Sequence, residues 1–457
     1  MIKSKTVTRS FLGLAIMLVW MVQAGQSLHA AEGQQWFRGQ LHAHTYWSDG
    51  RGFPEQAVEA YKQRGYQFLS VTDHNRFAEN PEVWREVTAA EGSWPPHVTQ
   101  SIFDTYVRTF GKDVQSRIEN TTNGPVTYVR LKTYAEVKAK FEEAEKFLLL
   151  PGVELTQQGG GLSIHLNYIN LPLVLPCIKG SCLIQNITEP KTVSEIIALN
   201  VSEAGQAALE QKRPYMLTLN HPFWVYYDIV PQNLIDNPAI RFFEVCNGGS
   251  EQEPYPQARI YTVEKFWDAV NAFRRIQTNQ LLYGIGTDDA HFYDAKRIDG
   301  NFGVGDAWIM VRAESLTPEK LLAALHKGDF YATCGVLLDN VAFTPTDNTL
   351  RVKVKVEPGV NYKIHFITTK RGFDRTVTEV TCTPTNHRPE RTIPIYSDDI
   401  GRIVKTVAGT EAEYRLEADD LYVRARVESD SPSKIAPHFH PKVKTAWTQP
   451  YALSESL

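Results

Sequence analysis

The sequence predicts an α/β domain over residues 31–336 followed by a smaller, sandwich-like all-β domain over 337–457, and three observations carry that prediction. From about Trp36 to Cys334, short apolar runs alternate with helical patterns, as in α/β proteins. Two capping boxes, Thr133 with Glu136 and Thr192 with Glu195, mark helix starts between those runs. Beyond residue 337 the period changes to two, in 351–356, 362–367 and 422–427, and helical signal fades.

Taken in order, the first strand falls at 36–42, before a loop that ends at Gly52. Pro54, Ala57, Val58 and Tyr61 describe an amphipathic helix that opens on proline and closes at Gly65. A buried strand follows at 67–72. Residues 78–132 read as a polar, less regular insertion carrying Trp84, Trp94, Pro95 and Pro96. A helix at 134–147 leads into a strand at 147–150, and further strands fall at 215–220, 241–246 and 281–286. Thr317 and Pro318 open the last helix of this domain and Gly328 ends it. In the closing segment, Trp447 is the large aromatic expected to seal the domain interface.

The 48 basic side chains are slightly outnumbered by 52 acidic ones, for a formal charge of −4 over 457 residues. No bulk electrostatic term then favours a polyanion, which sets nucleic acid aside as a partner. Lys3, Lys5 and Arg9 precede an apolar run at 11–22, followed by small and polar residues up to Ala30. That order predicts a signal peptide over 1–30, cleaved after Ala24 or, preferably, Ala30. The apolar run is too short for a comfortable membrane span, so the expectation is a periplasmic or secreted chain without stable membrane insertion. Cys177 and Cys182 flank a short turn, with a disulfide and two free thiols both open; Cys246, Cys334 and Cys382 read as structural.

The chemistry gathers near predicted strand ends. His42 and His44 share one face of an extended segment, and Asp49 follows in a Ser-Asp-Gly loop. His74 follows a strand in VTDHN, Glu154 follows one in PGVEL, and His165 lies in IHLN. His221 sits in NHP, and Asp289 and His291 in TDDAH. One His-x-His pair is weak evidence, since about 0.4 are expected by chance at this histidine frequency. His438 and His440 form such a decoy and read as a surface loop, while His97, His326, His365 and His387 read as structural. His29 falls in the predicted signal peptide, and the other six histidines differ because three carboxylates accompany them in one domain. Arg76 can be read as a substrate-anion contact or as surface charge, and Asn247 as pocket lining or as a cap. Trp224, Tyr226 and Tyr227 read as packing or as an aromatic wall.

The ordered set HAHTYWSDG, VTDHN, PGVEL, IHLN, NHP and TDDAH closely resembles the PHP (polymerase and histidinol phosphatase) superfamily over residues 36–335. FFEVCNGG, GTDDAHFY and LLAALHKGDFYATCG are more particularly similar to an exported, carbaryl-hydrolase-like branch. The resemblance implies a distorted (β/α)7 barrel and two or three divalent ions (zinc, manganese or iron). It implies that His42, His44, Glu154 and Asp289 hold one ion, that Glu154, His165 and His221 hold a second, and that Asp49, His74 and His291 hold a third. Asp288 is either a supporting residue or the ligand in place of Asp289, and Asp73 is expected to orient a ligand histidine.

Imidazole and carboxylate donors without thiolates suit such ions, and a hydroxide shared between two of them is the expected nucleophile. Asp49 and His74 are the candidates for protonating a leaving group. The first functional reading is an exported phosphoesterase acting on a small or polymeric ester. The alternative is a carboxylic or carbamic ester hydrolase built on the same centre. A non-catalytic metal-containing binding module would be marked by missing ligands, and none of the nine is missing.

Overall fold

The computed structural model describes residues 33–89, 96–172, 191–224, 227–249, 260–294, 296–299, 302–382, 390–435 and 441–453. The predicted signal peptide, Trp94, Pro95, Cys177, Cys182, Tyr226, His387, His438 and His440 lie outside the described residues. Within them the chain is a mixed α/β fold whose largest element is a thirteen-stranded sheet.

β1 (Gln35–Gln40) and β2 (Phe68–Val71) pair in parallel, connected through the helix Pro54–Gln63. The insertion that follows is more regular than the sequence suggests. β3 (Trp84–Thr88), β4 (Val98–Thr99), β5 (Ser116–Thr121) and β6 (Gly124–Arg130) form a separate sheet, with the helix Gln100–Phe110 beside it. Every residue of β5 is exposed, so no apolar alternation betrays this strand. The insertion's inner face, with Val87, Val98, Ile102 and Tyr106, packs on Tyr46, Trp47 and Phe53. It thereby braces the loop just after His44.

The remaining strands of this half are β7 (Leu148–Gly159), β8 (Leu162–Ile169), β9 (Met216–Leu219), β10 (Phe242–Asn247), β11 (Tyr283–Thr287), β12 (Trp308–Ala313) and β13 (Phe330–Thr333). β7 pairs with β2 in parallel, and β9, β10 and β11 are mutually parallel. β8 runs antiparallel to both β7 and β9. The strand expected to stop at 150 in fact runs on through Pro151 and Gly152 to Gly159. Pro151 pairs with Val71, and Gly152 is needed because a Cβ there would lie 2.2 Å from Ser70 Oγ. Glu154 and His165 therefore lie within strands rather than beyond their ends.

Eight of these strands follow the order β11-β10-β9-β8-β7-β2-β1-β12, and no ladder joins the two ends among the described residues. The closed seven-stranded barrel is thus not what the pairing displays. The ends do approach, since a Cβ on Gly286 would sit 2.8 Å from the Trp308 carbonyl oxygen. Phe37, Phe68, Leu150, Ile169, Met216, Phe242, Ile285 and Ile309, one from each strand, share a single apolar cluster.

β14 (Leu338–Thr344), β15 (Thr349–Val354), β16 (Tyr362–Lys370), β17 (Val377–Cys382), β18 (Arg391–Tyr396), β19 (Arg402–Ala408), β20 (Glu411–Arg415), β21 (Asp420–Pro432) and β22 (Val443–Thr448) complete the chain. The β14-β15-β20 sheet packs on β16, β21 and β22 through Val341, Val352, Ile364, Phe366, Val427 and Ala446. β22 also pairs with β13, bringing Trp447 opposite Ala332, so one sheet is continuous across both halves. Trp447 is buried, and its indole N–H donates to Glu264 Oε1 at 3.1 Å. No helix among the described residues is long and apolar enough to cross a membrane.

Candidate metal centre

Backbone hydrogen bonds stitch the ligand-bearing segments together before any side chain is considered. His44 N donates to Ala290 O at 2.8 Å, Arg51 N to His291 O at 2.6 Å, Asn75 N to Glu154 O at 2.8 Å and Asn220 N to His165 O at 3.0 Å. Gly50 is required in the Ser-Asp-Gly turn, because a Cβ there would meet the His44 carbonyl at 2.4 Å. Asp289 itself adopts φ of +52°, a left-handed conformation that Asp tolerates and that turns its carboxylate back into the pocket.

The structure brings all nine candidate side chains, six histidines and three carboxylates, into one cluster. Glu154 lies at its middle. Its Oε2 is 3.4 Å from His42 Nε2, 3.2 Å from His44 Nε2 and 2.9 Å from His74 Nδ1. Its Oε1 is 2.9 Å from His165 Nδ1, 3.6 Å from His221 Nε2, and accepts from Asn220 Nδ2 at 2.8 Å. Asp289 Oδ1 faces His44 Nε2 at 3.0 Å and His42 Nε2 at 3.3 Å. At the outer end Asp49 Oδ2 meets His291 Nε2 at 3.4 Å and His74 Nε2 at 3.6 Å. His42, His44 and Glu154 are wholly buried, whereas the Asp49, His74 and His291 side chains are 27, 17 and 16 % exposed. The cluster therefore opens to solvent at the Asp49 end.

Four groups offer ligand atoms close enough to hold an ion: His44, Asp49, His74 and His291; His42, His221 and Asp289; His42, His44 and Glu154; and His74, Glu154 and His165. This differs from the division implied by the resemblance in four respects. His44 joins the outer group, Asp289 stands apart from His44 and Glu154, His221 groups with His42 and Asp289, and His74 reaches both the outer group and the Glu154–His165 group.

Electrostatics show which charge such an arrangement calls for. Burial pushes the Glu154 carboxyl up, but His74, His42 and His165 outweigh it and hold it well below the ordinary range. Asp289 behaves alike: burial is overcome chiefly by His42 and His44. Burial lowers His44, yet Asp289 and Glu154 bring it up to about 9; for His165 burial prevails and takes it down to about 4. Buried carboxylates drawn this far down require nearby positive charge, from imidazolium protons or from cations. Glu154 Oε2 also forms no hydrogen bond of acceptable geometry, although three imidazole nitrogens lie within 3.4 Å. Donors that crowd one another without bonding suit a shared cation, and the His/Asp/Glu set fits divalent metal ions.

The surrounding residues divide in ways the sequence shows only in part. Asp288 faces away from the cluster, accepting from the backbone N–H groups of Gly305, Asp306 and Ala307 and from Tyr61 Oη. Asp73 bonds no histidine directly. It accepts from Thr45 and Ser48, backbone and hydroxyl in each case, and Ser48 Oγ lies 3.4 Å from His44 Nδ1. Asn247 is buried and donates to Glu244 at 2.8 Å and Asp289 at 3.4 Å. Sequence reasoning missed Glu244 itself, a wholly buried carboxylate 2.7 Å from His42 Nδ1. The only local signal was an acid set inside the apolar run FFEVCN.

A cavity of about 300 Å³ opens over the cluster, walled also by Arg51, Trp224, Phe292 and Phe302. Tyr227 is core instead, bonding the Ile260 and Tyr261 backbone. Arg76 is exposed and lines a separate crevice with Asp73 and Trp47. His97, His326 and His365 join no metal-competent group among the described residues. Cys246 and Cys334 are buried and Cys382 is half-buried.

No protein-family model and no curated protein matches the chain. Among solved structures, the chain overlaps a two-domain protein of Bacteroides vulgatus described as containing a predicted PHP-like metal-dependent phosphoesterase, at 14 % identity and TM-score 0.38, covering 94 % of this chain and 97 % of that one. An amidohydrolase from Chromobacterium violaceum overlaps at 12 % identity and TM-score 0.28, covering 55 % of this chain and 87 % of that one. Overlaps this loose leave fold and activity to be judged from the chain's own residues.

Proposed function

We propose that this chain is an exported, metal-dependent hydrolase of phosphate esters. The observation that carries the reading is the convergence of nine imidazole and carboxylate side chains, from six separate segments, in one cluster, seven of which line an open cavity. Zinc, manganese or iron held there would supply Lewis acidity towards an ester oxygen and lower the pKa of water. His42, His44, Glu154, Asp289, His165 and His221 would hold the inner ions, and Asp49, His74 and His291 the outer one. Asp49 and His74 face each other at 3.6 Å on the open side, and whichever of them is not committed to the outer ion is placed to pass a proton to a departing alcohol. Among the described residues Arg51 is the one guanidinium in the cavity wall, and it favours an anionic substrate over a neutral ester. The basic, apolar and small-residue order of the first thirty positions supports export.

Turnover of p-nitrophenyl phosphate and of p-nitrophenyl acetate by metal-loaded protein tests this directly. Phosphate-selective turnover that vanishes with a chelator and returns with zinc or manganese is expected. Selective cleavage of the acetate would replace it with the carboxylic ester reading.

A further inference from the structure

Glu244 occupies a strand, β10, in which every residue is buried. Both of its carboxylate oxygens are in use. Oε1 accepts from His42 Nδ1 and from Thr287 Oγ1, each at 2.7 Å. Oε2 accepts from the His221 backbone N–H and from Asn247 Nδ2, each at 2.8 Å. An ionised carboxylate only accepts, so the His42 proton resides on Nδ1 and the Nε2 lone pair faces Glu154 and Asp289. The same carboxylate grips the backbone of His221, which stands with His42 and Asp289 around one candidate ion position. No donor from the outer group of Asp49, His74 and His291 reaches it.

We infer that Glu244 is a positioning residue for the inner part of the centre, imposing the Nδ1–H tautomer on His42 and tying His42 to His221. This rests on the metal centre proposed above, but not on the identity of the substrate. A histidine locked in this way is a better and more selective ligand, and loss of such partners weakens metal binding by roughly ten- to hundredfold.

Glu244→Gln is the informative variant because its shape is retained. Turned one way, its NH2 opposes the His221 backbone N–H and Asn247 Nδ2; turned the other, it faces Thr287 Oγ1, which can accept, and His42 Nδ1, which can accept only by giving up its proton. Thr287→Val is the companion, removing one donor while leaving the His42 contact in place.

The experiment titrates cobalt(II) into metal-stripped full-length protein and follows its visible absorption and chelator competition. In Glu244→Gln, inner-site affinity is expected to fall roughly ten- to hundredfold, with the outer position retained. In Thr287→Val it is expected to stay within about threefold of wild type. Unchanged cobalt affinity and band shape in Glu244→Gln, with only a lower melting temperature, would reduce Glu244 to a structural residue and overturn the inference. If that variant does not fold, 15N-histidine NMR of zinc-loaded wild type decides, using His42→Gln for assignment. An exchange-protected His42 Nδ1–H upholds the inference, and an Nε2–H tautomer overturns it. Neither readout uses a substrate, so a failed phosphatase assay and a failed Glu244 test are separate outcomes.

Discussion

The Asp268 carboxylate holds the Arg424 guanidinium through two hydrogen bonds, 2.8 Å from Nε to Oδ1 and 2.6 Å from Nη2 to Oδ2, with both side chains buried. Asp268 lies on the helix Val263–Gln277 and Arg424 on β21, so the pair joins the metal-bearing half to the C-terminal strands. Removing the Asp268 charge leaves the buried Arg424 guanidinium only partly compensated, by Glu264. Asp268→Asn is expected to lower stability by about 3–5 kcal/mol, read as a shift in guanidinium unfolding midpoint. Replacing both together, by Asp268→Leu with Arg424→Met, is expected to recover most of that loss. A loss below about 1 kcal/mol in Asp268→Asn would show that the pair is not fully desolvated.

Glu264 extends this network, with Oε2 2.8 Å from Arg424 Nη1 and Oε1 3.0 Å from Arg426 Nη1. Burial pushes its carboxyl up, but Arg424 and Arg426 more than reverse this and bring it down to about 2, from an ordinary 4.5. The folded value lies below the unfolded one, so the stability it contributes is complete above pH 4.5 and disappears as pH falls towards 2. Between pH 6 and pH 3 this single group should cost the wild type roughly 2 kcal/mol, a loss absent from Glu264→Gln. Unfolding both proteins with urea at the two pH values measures it. Parallel losses would place the acid sensitivity elsewhere.

Asp73 controls the His44 loop through the four hydrogen bonds it receives from Thr45 and Ser48. In Asp73→Asn the orientation that keeps an oxygen towards Thr45 N and Ser48 turns the amide NH2 to the Thr45 hydroxyl, which must accept from it and loses its own acceptor. The expected result is a stability loss of about 1–3 kcal/mol together with roughly tenfold weaker zinc binding. Denaturant unfolding and chelator competition report the two effects separately. A stability loss without any change in zinc affinity would mean that Ser48 does not transmit the position of Asp73 to His44.

What could be read from the sequence was set by how far apart the cooperating residues lie. Thr133 with Glu136 and Thr192 with Glu195 do form capping boxes, and Thr317 caps the helix Pro318–Lys327, because three residues settle each interaction. Five of the nine cluster residues stood out as short groups, His42 and His44 with Asp49 and Asp289 with His291, and the other four by the motif around each. Glu244 had no such neighbour; the imidazole it bonds is 202 positions away. Pro151-Gly152 read as a strand end because proline usually ends a ladder, whereas close packing on Ser70 is what the glycine serves. Exposed β5 lacked the alternation that only one-sided burial produces. Asp73 read as a supporting acid and Asp288 as either that or a ligand, because the partners each serves lie on loops at 45–48 and 305–307 that only tertiary structure brings near.

Arg51 and Arg76 offer a sharp test of where an anionic substrate would sit. Both follow a cluster residue closely in sequence, Arg51 two positions after Asp49 and Arg76 two after His74. Only Arg51 lines the cavity above the cluster, with its Nη1 anchored on the Asp49 carbonyl at 2.7 Å; Arg76 is exposed beside a different crevice. A guanidinium that meets phosphate in both the bound and the transition state contributes mainly to binding. Arg51→Gln should therefore raise KM for p-nitrophenyl phosphate by about tenfold, leave kcat within about threefold, and leave residual acetate cleavage unchanged. Arg76→Gln should change none of these. Steady-state kinetics of both variants on both substrates separate the possibilities, and a KM effect confined to Arg76→Gln would move the anion site out of the cavity and away from the nine-residue cluster.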